Sequence, residues 1–307
     1  MPKITNTHIV PENISGIRLT DYLLNYGNEL LENQCTRNYI KKIIKAGYIM
    51  IDGSQAATAS WVETGQRIEF IKPDIQPAKI FKLQIPVIFE DEYLAVINKP
   101  AGIKVSGNCF RTVENALLYN ISLSSLPAAL ALPRPVHRLD ALTSGLLLIA
   151  KTRPVRIALG EMFAEHKIIK TYQAIVIGKT PLRDTITSPL QDKKAVTHYE
   201  RIKLIPSLRD EWLSLLELKP ETGRTHQLRI HLSESGYPIL GDKLYGTPGQ
   251  IYKGKGLFLT ATGLEFSHPI TKQQIDIKID PPAKFDLHLK RTEKRYRNLK
   301  EQQQNTI

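Results

Sequence analysis

The stretch PVHRLDALTSGLLLIAK, residues 135–151, sets His137, Arg138 and Asp140 against an apolar run, Leu146 to Ala150, that asks to be buried. A carboxylate at the mouth of such a strand loses water and needs a nearby cation to stay ionised. Held that way, it can attack a substrate or assist an elimination without a metal or a redox cofactor. The same residues also fit a plain ion pair between Asp140 and Arg138 or Arg229. Thr143, Ser144 and Gly145 read as the bend into the strand.

Other chemistries find less support. His226 and His231 stand five apart, about 140° around a helix, and with His137 they find no Cys or carboxylate to complete a ligand set, so no metal is expected. They read as hydrogen-bonded structural residues or contacts to a bound partner. His-Arg-Leu-Asp alters the order of a kinase catalytic loop, and neither the downstream Asn nor a Gly-rich loop accompanies it. A glycoside hydrolase would need a second carboxylate in a comparable setting.

The elements that would position these residues fall into two regions. Residues 16–72 read as a small α+β unit. Thr20 or Asp21 would cap a helix carrying Leu23, Leu24, Leu30 and Leu31. Thr36 would open a second helix, with Ile40, Ile43 and Ile44 on one side and Arg37, Lys41 and Lys45 on the other. Lys42 lies close by, and no acid compensates the stripe, which suits an anion-binding face. Gly47 would stop the helix. Asp52-Gly53 marks a hairpin turn, and QRIEFIK reads as a strand. A linker with Pro73 and Pro77 leads to a larger region, 80–287. There LAVINK, SGLLLIAK, TYQAIVI and EWLSLLELKP read as strands. PVRIALGEMFAEHK reads as a helix with Pro154 at its start, and a shorter helix runs from Thr225 to a stop at Gly236. Many strands and few helices make this an α+β domain. The remainder, 288–307, is a charged tail that reads as a frayed helix or a disordered segment from Lys290.

The totals narrow the class of partner. The chain has 307 residues and a net charge of +12. The tail from Lys290 holds six Lys or Arg against two Glu, so most of the excess lies on the body. A polyanion is the natural partner of such a surface, whether RNA, DNA or an acidic membrane face. No apolar run reaches the roughly 20 residues of a membrane span. The start of the chain lacks the apolar core of a signal peptide. Cys35 and Cys109 lie far apart in no framework pattern and read as free thiols of a reducing cytoplasm.

The larger region resembles the RluA-type pseudouridine synthases. The resemblance rests on four blocks in order: Asn98 to Gly102; His137-Arg138-Leu139-Asp140; Lys170 to Gly178; and Glu221 to His231, followed by Gly241 to Gly246. Gly107 departs from it, since many members carry Pro there. The resemblance implies a catalytic domain built on a mixed, largely antiparallel sheet with flanking helices. It implies Asp140 as the essential carboxylate, Tyr172 stacked on the target base and helping to remove its carbon-five proton, and Arg229 set against the Asp. Arg138 would lie beside the base, filling its gap or gripping phosphate. Lys99 is read as a phosphate contact, and Arg224 joins the RNA-contacting basic residues. No cofactor is implied. Residues 16–72 resemble the small RNA-binding domain named for ribosomal protein S-four. That extra domain favours large-subunit ribosomal RNA as the partner, with transfer RNA the alternative, and the chain is expected to act as a monomer. A protein that keeps the scaffold and binds RNA without turnover is the rival. Against it stands the joint presence of Asp140, Tyr172 and Arg229.

Overall fold

Apolar spacing decides which residues of the first region are buried. A computed structural model describes residues 4–31, 35–71, 80–247, 249, 252 and 254–304. It divides into two compact units, Met1–Ala78 and Lys79–Ile307. In the first unit, β1 (Ile4–Ile9) and β2 (Ile17–Arg18) precede helices α1 (Leu19–Tyr26) and α2 (Arg37–Lys45). Strands β3 (Ile49–Ile51), β4 (Ser54–Gln55), β5 (Trp61–Val62) and β6 (Arg67–Ile71) follow. An antiparallel sheet runs β1-β6-β3-β4, and β2 pairs with β5. The Thr36 hydroxyl caps α2 by accepting from the Tyr39 N–H at 3.3 Å. Ile40, Ile43 and Ile44 then bury with Tyr22 and Leu23 of α1. Asp52 and Gly53 both take positive φ, 48° and 75°, as a tight two-residue hairpin requires.

Three expectations fail in this unit. Neither Thr20 nor Asp21 caps α1; both lie inside it, and its N-terminus has no side-chain cap. The helix also ends before Leu30 and Leu31, which are buried in the turn beyond. Gly27 marks that end. A side chain there would put its Cβ 2.4 Å from the Leu23 carbonyl oxygen. Arg37 is not an uncompensated cation either, because its guanidinium meets Asp21 of α1 at 3.0 Å. The linker expected at 72–80 falls, but for Ile80, outside the described residues.

The second unit is α+β. It contains β7 (Val87–Glu90), β8 (Leu94–Lys99), α3 (Val113–Asn120), β9 (Ala129–Pro135), β10 (Ser144–Thr152), α4 (Arg153–Ala164) and β11 (Ile169–Ile177). It continues with β12 (Arg183–Ile186), β13 (Thr197–Ser207), β14 (Glu211–Pro220), α5 (Gln227–Glu234), β15 (Leu259–Ser267), β16 (Gln274–Lys278) and α6 (Lys284–Gln304). The sheet runs β12-β13-β14-β11-β15-β10-β8-β7, with β9 and β16 as side branches. Among the described strands of this sheet, β10 with β15 is the parallel pair and every other strand pairing is antiparallel. All of β10 is buried, which is why its sequence reads as a continuous apolar run rather than an alternation.

The parallel pair is short: Ser144 opposite Thr260 and Gly145 opposite Ala261. Past it the strands part. β9 takes the freed edge of β10 from Ile149, and β16 takes that of β15 from Gly263. Two half-sheets therefore meet at one narrow seam. The charged tail is more ordered than its composition suggests. Phe285 and Leu289, one helical turn apart, bury with Phe258, Ile205 and Leu213 and anchor α6, which runs on to Gln304.

Gly145 is the residue on which the seam closes. Its φ is +112°, and a Cβ there would lie 2.1 Å from the Ala261 carbonyl oxygen. Gly145→Ala is therefore expected to destabilise the fold by at least about 3 kcal/mol, from backbone strain and overpacking together. The melting temperature, or the yield of folded protein, measures the effect.

Candidate active site

Asp140 sits in the turn that leads into β10 at the seam, and the Thr143 N–H donates to its carbonyl at 3.1 Å. Lys99, the last residue of the neighbouring β8, holds this turn from below. Its ammonium donates to the carbonyls of Pro100, Ile103 and Ala141 at 2.9, 2.8 and 3.2 Å. Lys99 is fully buried, which corrects its reading as a phosphate contact. It staples the turn carrying Asp140 to the Pro-Gly turn after β8. Burial draws its pKa down to about 8 against the pull of Asp140, so it remains mainly an ammonium at neutral pH.

Arg229 comes from α5. Its guanidinium grips Asp242 with a two-point fork, Nε to Oδ2 at 2.7 Å and Nη2 to Oδ1 at 2.8 Å. The remaining Nη1 faces Asp140 Oδ2 at 3.4 Å. Burial works against Asp242's charge, but Arg229 and the N–H groups of Leu244 and Tyr245 hold its carboxyl below the usual range. The other oxygen of Asp140 faces His226 Nε2 at 3.7 Å, while His226 Nδ1 shares a 2.9 Å hydrogen bond with the Tyr245 hydroxyl. His226 does not lie in the helix. It precedes α5 with φ +56°, and the helix starts two residues later than Thr225. Gln227 fixes this corner. Its amide donates to Val196 O and Thr197 Oγ1, and its carbonyl accepts from the Thr222 hydroxyl and the Arg224 N–H.

Asp140, His226, Gln227 and Arg229 line a cleft of about 500 Å³ that also takes in Tyr172, Lys170, Phe163 and Leu259. Tyr172 reaches it from β11, opposite Ala261 and next to an irregularity in the strand register. Burial, and then the charge of Asp140, pushes its phenol up, so it meets a substrate as a neutral ring. His137 Nε2 accepts from the Leu148 N–H at 2.9 Å. Burial, and then Lys170, lower the His137 pKa to about 3 against a hydrogen bond to the Arg138 backbone, which leaves the imidazole neutral. His231 is structural, bonded to Thr197 Oγ1 and Ser188 O. Arg138 and Arg224 are exposed on the rim, the latter donating to Lys194 O at 3.1 Å. Arg37, Lys41 and Lys45 belong to the other unit, where Lys41 and Lys45 border a shallow basic concavity with Asn38 and Lys42. Among the described residues, no group of three His, Cys, Asp or Glu could hold a metal ion.

Residues 93–234 match the RNA pseudouridylate synthase family. Ribosomal large subunit pseudouridine synthase D of Zymomonas mobilis is 38% identical over 236 residues, covering 68% of this chain and 73% of the relative. The chain belongs to the RNA pseudouridylate synthase family. An uncharacterized RNA pseudouridine synthase of Aquifex aeolicus is 32% identical, covering 81% of this chain and 87% of its own. The synthase D of Xylella fastidiosa is 30% identical, covering 91% and 89%. Human RNA Pseudouridylate Synthase Domain Containing 1 shares the fold, with a TM-score of 0.54 at 24% identity over 65% of this chain and 84% of that one.

Sequence reasoning about this synthase gives no catalytic role to Asp242, His226 or Tyr245, although all three lie in its characteristic blocks. The available signal is an Asp beside a glycine, Gly241, in a block that follows the Arg. Removing Asp242 as Asp242→Ala leaves a buried guanidinium short of its main partner and should destabilise by about 3–5 kcal/mol in denaturant unfolding. Lys99→Met strips three carbonyls of their donor and should lower stability by roughly 2–4 kcal/mol. The parent should also gain stability as pH rises from about 8 toward 10.5, because the folded state releases the Lys99 proton before the unfolded chain does. Lys99→Met should show a smaller rise, since the buried Lys170 and Lys284, lowered in the same direction, still contribute.

Proposed function

We propose that this pseudouridine synthase isomerises a uridine in large-subunit ribosomal RNA in the cytoplasm, with Asp140 as the reacting carboxylate. The observation that carries this reading is the placement of Asp140. One carboxylate, faced by Arg229 Nη1 and His226, shares a nucleotide-sized cleft with the Tyr172 ring. The reaction breaks the bond from the anomeric carbon to nitrogen one of uracil, turns the base, and joins the anomeric carbon to carbon five. Carbon five loses a proton and nitrogen one gains a proton, so the composition is unchanged. Asp140 would attack the sugar, attack the base, or take a proton in an elimination; all three need it ionised and within reach. Tyr172, held as a neutral phenol, offers an apolar face to a base that has left its stack. A proton-accepting role for it at carbon five would need a partner to take its own proton. Arg138, on the rim, would fill the gap left by the base or grip phosphate, and Arg224 would hold the strand nearby.

Large-subunit ribosomal RNA is favoured because several relatives carry that substrate in their names, among them synthase D of Zymomonas mobilis and of Xylella fastidiosa. Residues 16–72 act, in this reading, as an RNA-binding domain of the ribosomal protein S-four type. The exposed Lys41, Lys42 and Lys45 of α2 would meet phosphate. Arg37, already paired with Asp21, contributes less.

Asp140→Asn should abolish release of label from carbon five of uridine while RNA affinity stays within a few-fold. Equal loss of binding and turnover would make Asp140 a structural residue. A parent protein that binds RNA and releases no label would be a binder without turnover. Mapping pseudouridines in RNA from cells with and without the gene identifies the site. Lys41→Glu with Lys45→Glu should weaken RNA binding and flatten its salt slope by about 0.7–0.9 for each phosphate left without its cation. An unaltered slope would leave the stripe facing bulk solvent.

A further inference from the structure

The wall of the cleft made by Val136, His137 and Arg138 also borders a second concavity, of about 430 Å³. Three elements of the same unit close it: α3 supplies Glu114, β9 supplies Arg134 and α4 supplies Arg156. Arg134 pairs with Glu114, so that carboxylate is already occupied. The side chains of Arg138 and Arg156 are exposed and make no hydrogen bond or ion pair among the described residues. Three guanidiniums thus share one hollow with a single acid. Gathering like charges this way is unfavourable for the free protein and suits an anion that arrives later.

The ligand follows from the neighbouring cleft. A cleft that holds one nucleotide of an RNA strand must let the strand enter and leave. The phosphates beside the target nucleotide therefore have to lie against its rim. We propose that the concavity is a subsite for the nucleotide adjoining the target uridine, with its phosphate taken between Arg138 and Arg156 and with Arg134, steadied by Glu114, behind. Arg138 belongs to both hollows, so it stands where the strand passes from one to the other. The ligand class is a single-stranded ribonucleotide segment, since a stacked duplex could not lay two successive nucleotides into two separate hollows. The subsite rests on the RNA-isomerase reading and extends it to the form of RNA that the enzyme accepts.

The test compares ligands of increasing length on the full-length protein. Uridine 5′-monophosphate fills one hollow, whereas a single-stranded oligouridine can reach both. Arg156→Glu, with its melting temperature unchanged, should bind the mononucleotide as the parent does. It should lose about tenfold in affinity for the oligouridine, the size expected for a charge-assisted phosphate contact. Its salt slope for the oligouridine should fall by about 0.7. Arg156→Lys should recover part of the loss. If Arg156→Glu binds both ligands as the parent does, or weakens both equally, the subsite is overturned and the arginines serve only general charge. Failure of the isomerase reading looks different: no label leaves carbon five of any RNA, while these binding differences persist.

Discussion

Everything at the cleft depends on how one guanidinium is divided. Arg229 gives two of its N–H groups to Asp242 in a short, buried fork and keeps a third toward Asp140 at the longer distance of 3.4 Å. A lone arginine beside a lone aspartate would close into a tight ion pair, and both oxygens would be tied up. Asp242 prevents this by holding the arginine in place from the other side. The two carboxylates play unequal parts: one is buried and bound by backbone N–H groups as well, the other stands half-open to the cleft. That inequality leaves the proposed reacting group open to the cleft rather than locked in a fork.

The seam of the sheet supplies the position. A parallel pair only two residues long joins the halves, and the turn holding Asp140 enters at that point. Gly145 lets β10 and β15 approach closely enough to pair, and the strands then diverge to make room. Tyr172 arrives on β11 where its register slips against β15, while Arg229 arrives on a helix fixed by Gln227. Separate stretches of chain therefore converge, set partly by strand pairing and partly by buried polar side chains, Lys99 at the Asp140 turn and Gln227 at the start of α5.

Part of this was legible in the sequence. The buried run of β10, the helix opened by Thr36 and the Asp52-Gly53 turn follow from local periodicity and capping, so they can be read residue by residue. Asp140, Tyr172 and Arg229 stand out because familiar blocks carry them, and the structure brings all three to one cleft. What stayed hidden was pairing between distant residues. Nothing local says that Asp242 holds Arg229 or that Asp21 meets Arg37. Lys99 misleads because a lysine beside a Pro-Gly turn looks exposed; its burial depends on the turn after Asp140 folding over it. The tail misleads through its composition, since Phe285 and Leu289 suffice to dock a helix that is otherwise charged.

The staple under Asp140 bears on how enzyme and RNA share the work of meeting. A carboxylate whose backbone turn is fastened by a lysine, at the lip of a strand buried along its whole length, has little freedom to reach outward. If Asp140 is the reacting carboxylate proposed above, the uridine does the travelling and the distortion falls on the nucleic acid. Bases that leave their helix easily, in loops and bulges, are those such a rigid receptor would select.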